Sequence, residues 1–407
     1  MLCLVPVCLL AGCNSSTTAG QTGSGLKFRA FITQDIPLAG SGVQIIDAQN
    51  DRRAFVAPIP AGVTPGPMVV TPNRVQTLVF SPLDRAFTLV SNGGESASTS
   101  VTLPGFTESF VVSSDSLTAY IAIPTATVVG QSPGVVDMMN LANGIFKGQL
   151  NIPAARYVAL SHNGNRLLVF SDNSDSVAVV SFGTGNPTIT YVGSFDRPVT
   201  AFFSGDDNTA YVLNCGAECG GVQASVQTID LTLETPIAGA PVVVPAASGA
   251  LLDGTTLYIA GTPVPASPCT GQTTAATSCG LLTLFDLNSM SVMNAAPIVI
   301  TDGYHNRMAL GADGQLFIGS RSCTEIVAVN TGDEVRGCLS IYNTQNAAVV
   351  IPPANGDVTG IQPIATRHIV YLAQGGELQI YDTTTDKLQE TQINITGEVI
   401  DVKAVDF

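Results

Sequence analysis

A five-residue pattern of apolar and polar positions recurs along almost the whole chain. Its clearest copy, Leu378-Gln379-Ile380-Tyr381-Asp382, is apolar at its first, third and fourth positions and ends on a short polar residue. Alternating polarity of this kind predicts a β-strand, and the final Asp predicts a turn because its side chain can bond the following backbone. Copies of the pattern begin at residues 43, 87, 136, 177, 226, 282, 339 and 378.

The spacing of these copies predicts a β-propeller. Consecutive copies start 39 to 57 residues apart, and a strand unit that recurs about every 40–50 residues is typical of propellers, in which each repeat forms one four-stranded blade. We interpret each copy as a third strand, preceded by an inner strand and a second strand such as residues 157–160 and 167–170. No stretch has a convincing helical period. The predicted fold is therefore all-β, with eight blades favoured and seven as the alternative if the copy at 87 is a second strand.

The two ends of the chain are predicted to meet in one blade. The first repeat opens on a second strand at residues 28–32, whereas residues 399–405 form a spare strand after the last repeat. Pairing of the two segments would close the ring and remove both open sheet edges. We therefore assign residues 26–407 to a single propeller domain.

Residues 1–25 predict export and lipid anchoring. The apolar run before Cys13 is too short to span a bilayer and is typical of a signal peptide. Its end, Leu10-Ala11-Gly12-Cys13, resembles the lipobox of bacterial lipoproteins, in which the cysteine is lipidated. The resemblance implies a signal peptide at 1–12, lipidation of Cys13 and a flexible tether at 13–25; the alternative is an ordinary secretory peptide with a chance cysteine. Asn14 implies outer-membrane localisation in a host with two membranes, on the periplasmic or the surface side.

The repeats also resemble the YVTN-type propeller units of bacterial surface and exported proteins. The resemblance rests on Ser81-Pro82 followed by Ala86-Phe87-Thr88-Leu89-Val90-Ser91-Asn92, and on Ser204-Gly205-Asp206 followed by Ala210-Tyr211-Val212-Leu213-Asn214. It covers nearly all of residues 26–407, although no copy contains the full Tyr-Val-Thr-Asn string. It implies a fold and no activity, because such relatives include both binding proteins and sugar-lactone hydrolases.

Composition narrows the range of partners. A formal charge of −15 and a pI of about 4.4 argue against nucleic acid and against an anionic membrane surface as partners. The chain has no C-x-x-C-H haem-attachment motif, no P-loop and no dinucleotide fingerprint, so we expect no cofactor.

Six cysteines follow the predicted lipidation site, and we expect them to form disulfides. Six cysteines allow fifteen connectivities from sequence alone, but neighbouring cysteines here fall within one insertion between a second and a third strand, in three successive blades. An even number in an exported chain favours disulfides. Zinc is the alternative, but it would need further ligands and the chain has only three histidines. The predicted pairs are Cys215–Cys219, Cys269–Cys279 and Cys323–Cys338.

Other candidate chemistry has simpler interpretations. Gly130-Gln131-Ser132-Pro133-Gly134 matches the hydrolase G-x-S-x-G string, but that motif needs a strand, a turn and a helix, and here a strand follows. The pairs Asp206-Asp207 and Asp333-Glu334 are interpreted as solvated turns, with a calcium site as the alternative. The histidines are interpreted as surface or turn residues rather than catalysts; they are His162, His305 and His368.

The functional prediction is a binding or scaffold module outside the cytoplasm. Insertions at 124–134, 215–221, 261–280 and 321–337 are predicted to lie on one face, and long loops held by a rigid scaffold commonly carry function. The expected partner is an envelope protein or glycan.

The alternative is an exported lactonase-like or quinoprotein-like enzyme with its site at the mouth of the central channel. A cluster of Asp, Glu, Asn or His at the ends of the inner strands would favour that enzyme. We expect apolar or small residues there, which favours the binder. A structural surface-coat protein is a third possibility and would self-assemble.

Overall fold

The computed structural model describes residues 23–37, 40–183, 185–265, 279–324, 326–330, 333–352, 356–364, 366–389 and 392–406, with only the backbone at 326–330 and 333–336. These residues form eight antiparallel sheets of four or five strands, the blades, and one separate two-stranded sheet. Each inner strand contacts the inner strand of the next blade, all the way round the ring. The predicted eight-bladed all-β propeller is thus confirmed, and the seven-bladed alternative is wrong.

Blades are numbered here from the one that closes the ring, and their strands from the channel outward. The inner strands of blades 1 to 8 are Glu398–Ala404, Met68–Val70, Ser109–Val112, Ala155–Leu160, Pro198–Phe203, Gly249–Asp253, Tyr304–Leu310 and Val358–Ile364. The second strands are Arg29–Asp35, Gln76–Ser81, Thr118–Ile123, Arg166–Ser171, Thr209–Asn214, Thr256–Gly261, Gln315–Arg321 and Ile369–Gln374. The third strands are Gly42–Asp47, Ala86–Ser91, Val135–Asn140, Val177–Ser181, Ser225–Asp230, Gly280–Asp286, Leu339–Asn343 and Glu377–Asp382.

The outer strands are shorter and more exposed. They are Arg52–Arg53, Ser96–Thr102, Ile145–Asn151, Thr188–Val192, Ile237–Ala238 with Val242–Val243, Ser291–Val292 with Ile298–Ile300, Val349–Val350, and Lys387–Leu388. Two further elements lie in loops: a 3₁₀ turn at Gly216–Cys219, and a hairpin of Ile326–Asn330 with Asp333–Arg336. None of the helical structure described is long and apolar enough to cross a membrane.

The recurring pattern marks the third strand in every blade. Its apolar positions are buried because a blade is covered on both faces by its neighbours, as in Val177–Ser181, where the first four residues are buried. Aromatic rings fill the space between blades: Phe87 of blade 2 meets Phe110 of blade 3 edge to face, with ring centroids 4.6 Å apart. The core is therefore a series of layers between blades rather than one central cluster.

The chain ends close the ring as predicted. Arg29–Asp35 pairs with Gly42–Asp47 on one side and with Glu398–Ala404 on the other, both antiparallel. The Arg29 guanidinium binds Asp406 at 2.6 Å and Glu95 at 2.8 Å, so it ties the first strand, the C-terminal segment and blade 2 together. The Ser24 hydroxyl also donates to Glu95, at 2.5 Å.

The turns from inner to second strand form the opposite face of the ring. There the Asp207 carboxylate accepts hydrogen bonds from the backbone N–H groups of His162 and Asn163, at 3.0 and 2.9 Å. Asp207 is buried, so the interpretation of Asp206-Asp207 as a fully solvated pair is wrong for its second residue. The carboxylate joins the turns of blades 4 and 5 because two N–H groups that lack sheet partners need an acceptor.

Candidate functional site

The long insertions all lie on one face of the ring, here called the loop face. All inner strands run in the same direction, so the loop from each second strand to the third leaves where the inner strands begin. The described insertions are 124–134 in blade 3 and 215–224 in blade 5. The blade 7 insertion lies between Arg321 and Leu339, and the blade 6 insertion begins at Thr262. The predicted placement on one face follows from this topology.

The first disulfide closes the 3₁₀ turn of the blade 5 loop. Cys215 and Cys219 are bonded, as predicted, with Cα atoms 5.6 Å apart. Gly216 has φ +60°, and a Cβ there would lie 2.2 Å from the Gln223 backbone, so the turn requires glycine. The Asp196 carboxylate accepts the N–H groups of Val222 and Gln223 at 3.0 and 2.7 Å. The loop is therefore held in one conformation by both covalent and polar contacts.

Glu218 fastens this loop to blade 6. Its Oε2 accepts the Thr262 backbone N–H at 2.9 Å, and its carboxylate also hydrogen-bonds the Ser248 side chain. Burial raises the pKa of the Glu218 carboxyl to about 7, against these hydrogen bonds. Glu218 therefore titrates near neutral pH at the root of the blade 6 insertion.

We expect Glu218→Gln to remove a pH-dependent loss of stability. Because the folded-state pKa of about 7 lies above that of an unfolded Glu, the folded protein binds this proton more tightly. The carboxyl costs no stability below its unfolded pKa, and the free energy of unfolding falls as pH rises between the two pKa values. At about pH 8, thermal unfolding of Glu218→Gln should therefore come at a higher temperature than in wild type.

The control for this prediction is Glu234→Gln, at an exposed position of the same blade. It should leave the pH dependence of the melting temperature unchanged. If the melting temperature changed by the same amount between about pH 5 and pH 8 in wild type and in Glu218→Gln, the prediction would be contradicted.

The second disulfide lies in the blade 7 insertion. Cys323 and Cys338 are bonded, as predicted, with Cα atoms 5.5 Å apart, and both are buried. Asp357 accepts the Ser322 N–H at 2.8 Å, and Asp302 accepts the Thr324 N–H at 2.6 Å. Two carboxylates from the connections on either side of blade 7 thus fix the start of this loop.

The third predicted pair, Cys269–Cys279, falls partly outside the described residues, because the structure omits 266–278. The pairing stays a prediction. Cys13 and residues 1–22 also lie outside the described residues, so lipidation and the signal peptide stay predictions as well.

The central channel opens on the loop face into a cavity of about 570 Å³, here called the mouth cavity. It is built from the starts of inner strands in several blades, so the ring, not a local motif, assembles it. The expectation of apolar or small residues at these positions holds only in part: Val158, Val199 and Ile400 fit it, whereas Tyr157, Tyr304 and Arg307 do not. Charged and phenol side chains from four blades line the cavity: Asp35, Glu108, Tyr157, Tyr304, Arg307 and Arg321.

Two tyrosines bridge the cavity. The hydroxyls of Tyr157 in blade 4 and Tyr304 in blade 7 lie 3.0 Å apart. Tyr157 also donates to Glu108 at 3.3 Å, so its single proton is used and Tyr304 donates to it. Burial, together with the neighbouring Tyr304 and Glu108, raises the pKa of Tyr157 well above its usual range. The Tyr157 hydroxyl is therefore protonated near neutral pH.

Glu108 is held by a second group. The Arg156 guanidinium binds Glu108 at 2.7 Å and Asp172 at 2.9 Å, and it lies 5.4 Å from the centre of the Tyr157 ring. The Glu108 carboxylate is thus paired with Arg156 of the neighbouring blade, which it shares with Asp172.

Blade 7 contributes two arginines to the mouth cavity, Arg307 and Arg321. Neither Arg307 nor Arg321 forms an ion pair within the part of the chain that the structure describes. Arg307 Nε donates to the Thr359 carbonyl oxygen at 2.8 Å, and its Nη1 to the Asn306 carbonyl oxygen at 3.1 Å. Arg321 lies 5.9 Å from the centre of the Tyr304 ring. Backbone and ring contacts position these cations without cancelling their charge.

The blade 2 and blade 3 side of the mouth cavity is apolar. Phe106 lines it and is 41% exposed, with its ring 5.6 Å from that of the buried Phe80. Three prolines of blade 2 also line the cavity: Pro65, Pro67 and Pro82. The cavity therefore has an apolar wall and, on another side, a wall with two cations.

The remaining sequence candidates lie away from the mouth cavity. Ser132 is in an exposed loop that leads into the strand Val135–Asn140, so the G-x-S-x-G string does not form a nucleophile elbow. His162 lies in a turn and contacts Asp207, and His368 lies near Asp313 at 3.0 Å, both on the opposite face. Among the described residues, no group of three or more His, Cys, Asp or Glu is arranged to hold a metal ion.

His305 is not the surface or turn residue that the sequence suggested. It lies in the inner strand of blade 7 and is fully buried, with its Nε2 donating to the Thr301 carbonyl oxygen at 2.8 Å. Burial lowers the pKa of His305 to about 4, so it is neutral. Gly280 makes room for the ring, because a Cβ there would lie 2.8 Å from it. His305 is a core residue.

Sequence comparison adds no family to this picture, since no family model and no curated protein sequence matches the chain. The resemblance to YVTN-type repeats accordingly stays a prediction.

Solved structures are similar in fold. The dihydro-heme d1 dehydrogenase NirN, solved in complex with DHE, is 14% identical with a TM-score of 0.63, over 94% of this chain and 75% of that one. A functionally unknown protein from Desulfotomaculum acetoxidans is 15% identical with a TM-score of 0.53, over 81% and 97%. A putative 6-phosphogluconolactonase from Bacteroides uniformis is 13% identical with a TM-score of 0.51, over 93% and 99%. At these identities the likeness establishes the fold alone: the chain is an eight-bladed β-propeller.

Proposed function

We propose that this chain is a lipid-anchored extracytoplasmic binding module that contacts an envelope protein or glycan through its loop face. The observation that carries this proposal is that the disulfide-bonded loops and the mouth cavity share one face. Ordering a long loop before binding lowers the entropic cost of association. The blade 5 loop and the two ends of the blade 7 loop are held in this way, by three carboxylates as well as two disulfides: Asp196, Asp302 and Asp357.

The cellular location is supported by chemistry and by sequence. Disulfides persist in oxidising compartments outside the cytoplasm, and the lipobox-like string ending at Cys13 supplies the anchor. One acyl chain gives only marginal attachment, so firm anchoring requires more than one. Cys13→Ser should move the full-length protein from the membrane to the soluble fraction, and unchanged retention would contradict the anchor.

Footprinting tests the binding face. Full-length protein would be probed by hydroxyl-radical labelling with and without envelope proteins and glycans. We expect protection in 124–134 and 215–224, and none in the opposite-face turns at 161–166 and 204–209. Replacing 262–279 by a tight turn should weaken binding of the same partner without unfolding the ring. Protection confined to the opposite face or the outer strands would contradict the proposal.

A second candidate function is the exported lactonase-like or quinoprotein-like enzyme. The observation that favours it is the cluster of Glu108, Tyr157 and Tyr304 from three blades at the mouth cavity. One solved structure of similar fold is described as a putative 6-phosphogluconolactonase. Hydrolysis of a panel of sugar lactones that is abolished by Glu108→Gln would establish the enzyme. If the wild-type protein hydrolyses none of them, the binding module remains the proposed function.

A further inference from the structure

We infer that the mouth cavity binds a small amphipathic organic anion, whose charged group is held by Arg307 and Arg321 and whose apolar part lies on Phe106. This inference goes beyond the proposed function, because a small ligand inside the cavity needs no macromolecule on the loops. A cavity of about 570 Å³ is within the range that small-molecule sites occupy.

The anionic group of the proposed ligand is inferred from the two arginines. Both guanidinium groups line the cavity, and neither has a carboxylate partner among the residues that the structure describes. A guanidinium offers five N–H donors, of which Arg307 uses one on Thr359 and another on Asn306. The donors that remain are suited to carboxylate or phosphate oxygens.

The carboxylates that line the cavity do not neutralise these arginines. Glu108 is bound by Arg156 and by the Tyr157 hydroxyl, and within the described residues it forms no ion pair with Arg307 or Arg321. Asp35 stands in blade 1 and accepts the Ser41 hydroxyl at 2.9 Å. The formal charge of the whole chain is −15, so its long-range field repels anions. The two arginines give this part of the cavity a local positive charge, which favours an anion there.

The apolar part of the proposed ligand is inferred from Phe106. A large aromatic side chain that remains 41% exposed inside a concave site offers a flat surface to a ligand. Its ring is fixed edge to face against the buried Phe80 at 5.6 Å, so a ligand would meet an ordered surface. The tyrosine pair between the two walls can accept hydrogen bonds from a ligand, since both of its protons are used within the cluster.

The test uses 2-naphthoate as probe, with neutral 2-naphthalenemethanol and inorganic phosphate as matched probes that lack the charge or the ring. The chain contains no Trp, so naphthalene emission can be followed in the full-length protein with only a tyrosine background. We expect wild type to bind naphthoate more tightly than either matched probe.

Variants separate the two ends of the site. Arg307→Gln with Arg321→Gln should raise the Kd for naphthoate about 10–100-fold, the loss expected for hydrogen bonds to a charged group, and should leave the Kd for the neutral probe unchanged. Phe106→Ala should raise the Kd for both naphthalene probes by about 2–10-fold. Arg52→Gln, an exposed arginine in blade 1, is the control and should change nothing. If the double variant unfolds, Arg321→Gln alone gives the same comparison.

Three results would overturn the inference: equal affinity for the neutral probe, equal affinity for phosphate, or an unchanged naphthoate Kd in the arginine variants. Loop-face footprinting with a macromolecular partner is a separate readout. Protection of the loop face without naphthoate binding would overturn this inference but support the proposed function. Naphthoate binding without protection of the loop face would support this inference and contradict the proposed function.

Discussion

A chain that lacks residues 398–407 is expected to aggregate and to lose its cooperative thermal unfolding. The strand Glu398–Ala404 is the inner strand of blade 1, and its removal leaves an open edge on Arg29–Asp35. Three buried valines are lost with it: Val399, Val402 and Val405. Their burial contributes roughly 5–9 kcal/mol at about 1.5–3 kcal/mol each. That is comparable with the total stability of a typical domain.

Circular dichroism melting and size-exclusion chromatography measure this effect. A point substitution tests the closing strand without shortening the chain. Val402→Asp places a charge at a fully buried position and should unfold the ring. Glu398→Gln, at an exposed position of the same strand, should melt like wild type. A truncated protein with an unchanged melting temperature would show that this strand does not hold the ring closed.

Arg29→Met is expected to lower the free energy of unfolding by about 3–5 kcal/mol, the cost of removing one partner from a buried ion pair. Only 10% of the Arg29 side chain is exposed, and its partner Glu95 is 4% exposed. The guanidinium also donates to the Asn92 carbonyl oxygen at 2.7 Å. Its loss leaves the Glu95 carboxylate buried without a counter-charge and removes the link from blade 2 to the chain end at Asp406.

Urea unfolding of matched variants checks this prediction. Arg52→Met removes an arginine of the same blade that is 61% exposed and bound to Asp47 at 3.1 Å, and it should cost about 0–1 kcal/mol. Adding Glu95→Gln to Arg29→Met should recover part of the loss, because the uncompensated charge is then absent. Equal effects of Arg29→Met and Arg52→Met would mean that burial does not strengthen the pair.

The sequence alone determined the architecture, because patterns of only a few residues specify the strands and turns of each blade. A strand such as Glu377–Asp382 alternates in polarity over a few residues. Its terminal Asp382 starts a turn because its Oδ1 accepts the Thr384 backbone N–H at 2.8 Å. Ring closure followed from counting the strands. The pairs Cys215–Cys219 and Cys323–Cys338 were predictable because each lies within one loop, 4 and 15 residues apart.

Only the tertiary structure decided what the mouth cavity contains. Tyr157 and Tyr304 are 147 residues apart and meet at 3.0 Å. In the sequence each is a polar residue near the start of an inner strand, and nothing local indicates which side chains turn toward the channel. His305 was misjudged for the same reason, because the space for its ring comes from Gly280 in a different blade. Strand identity depends on neighbours along the chain, whereas the site depends on the closed ring that brings distant repeats together.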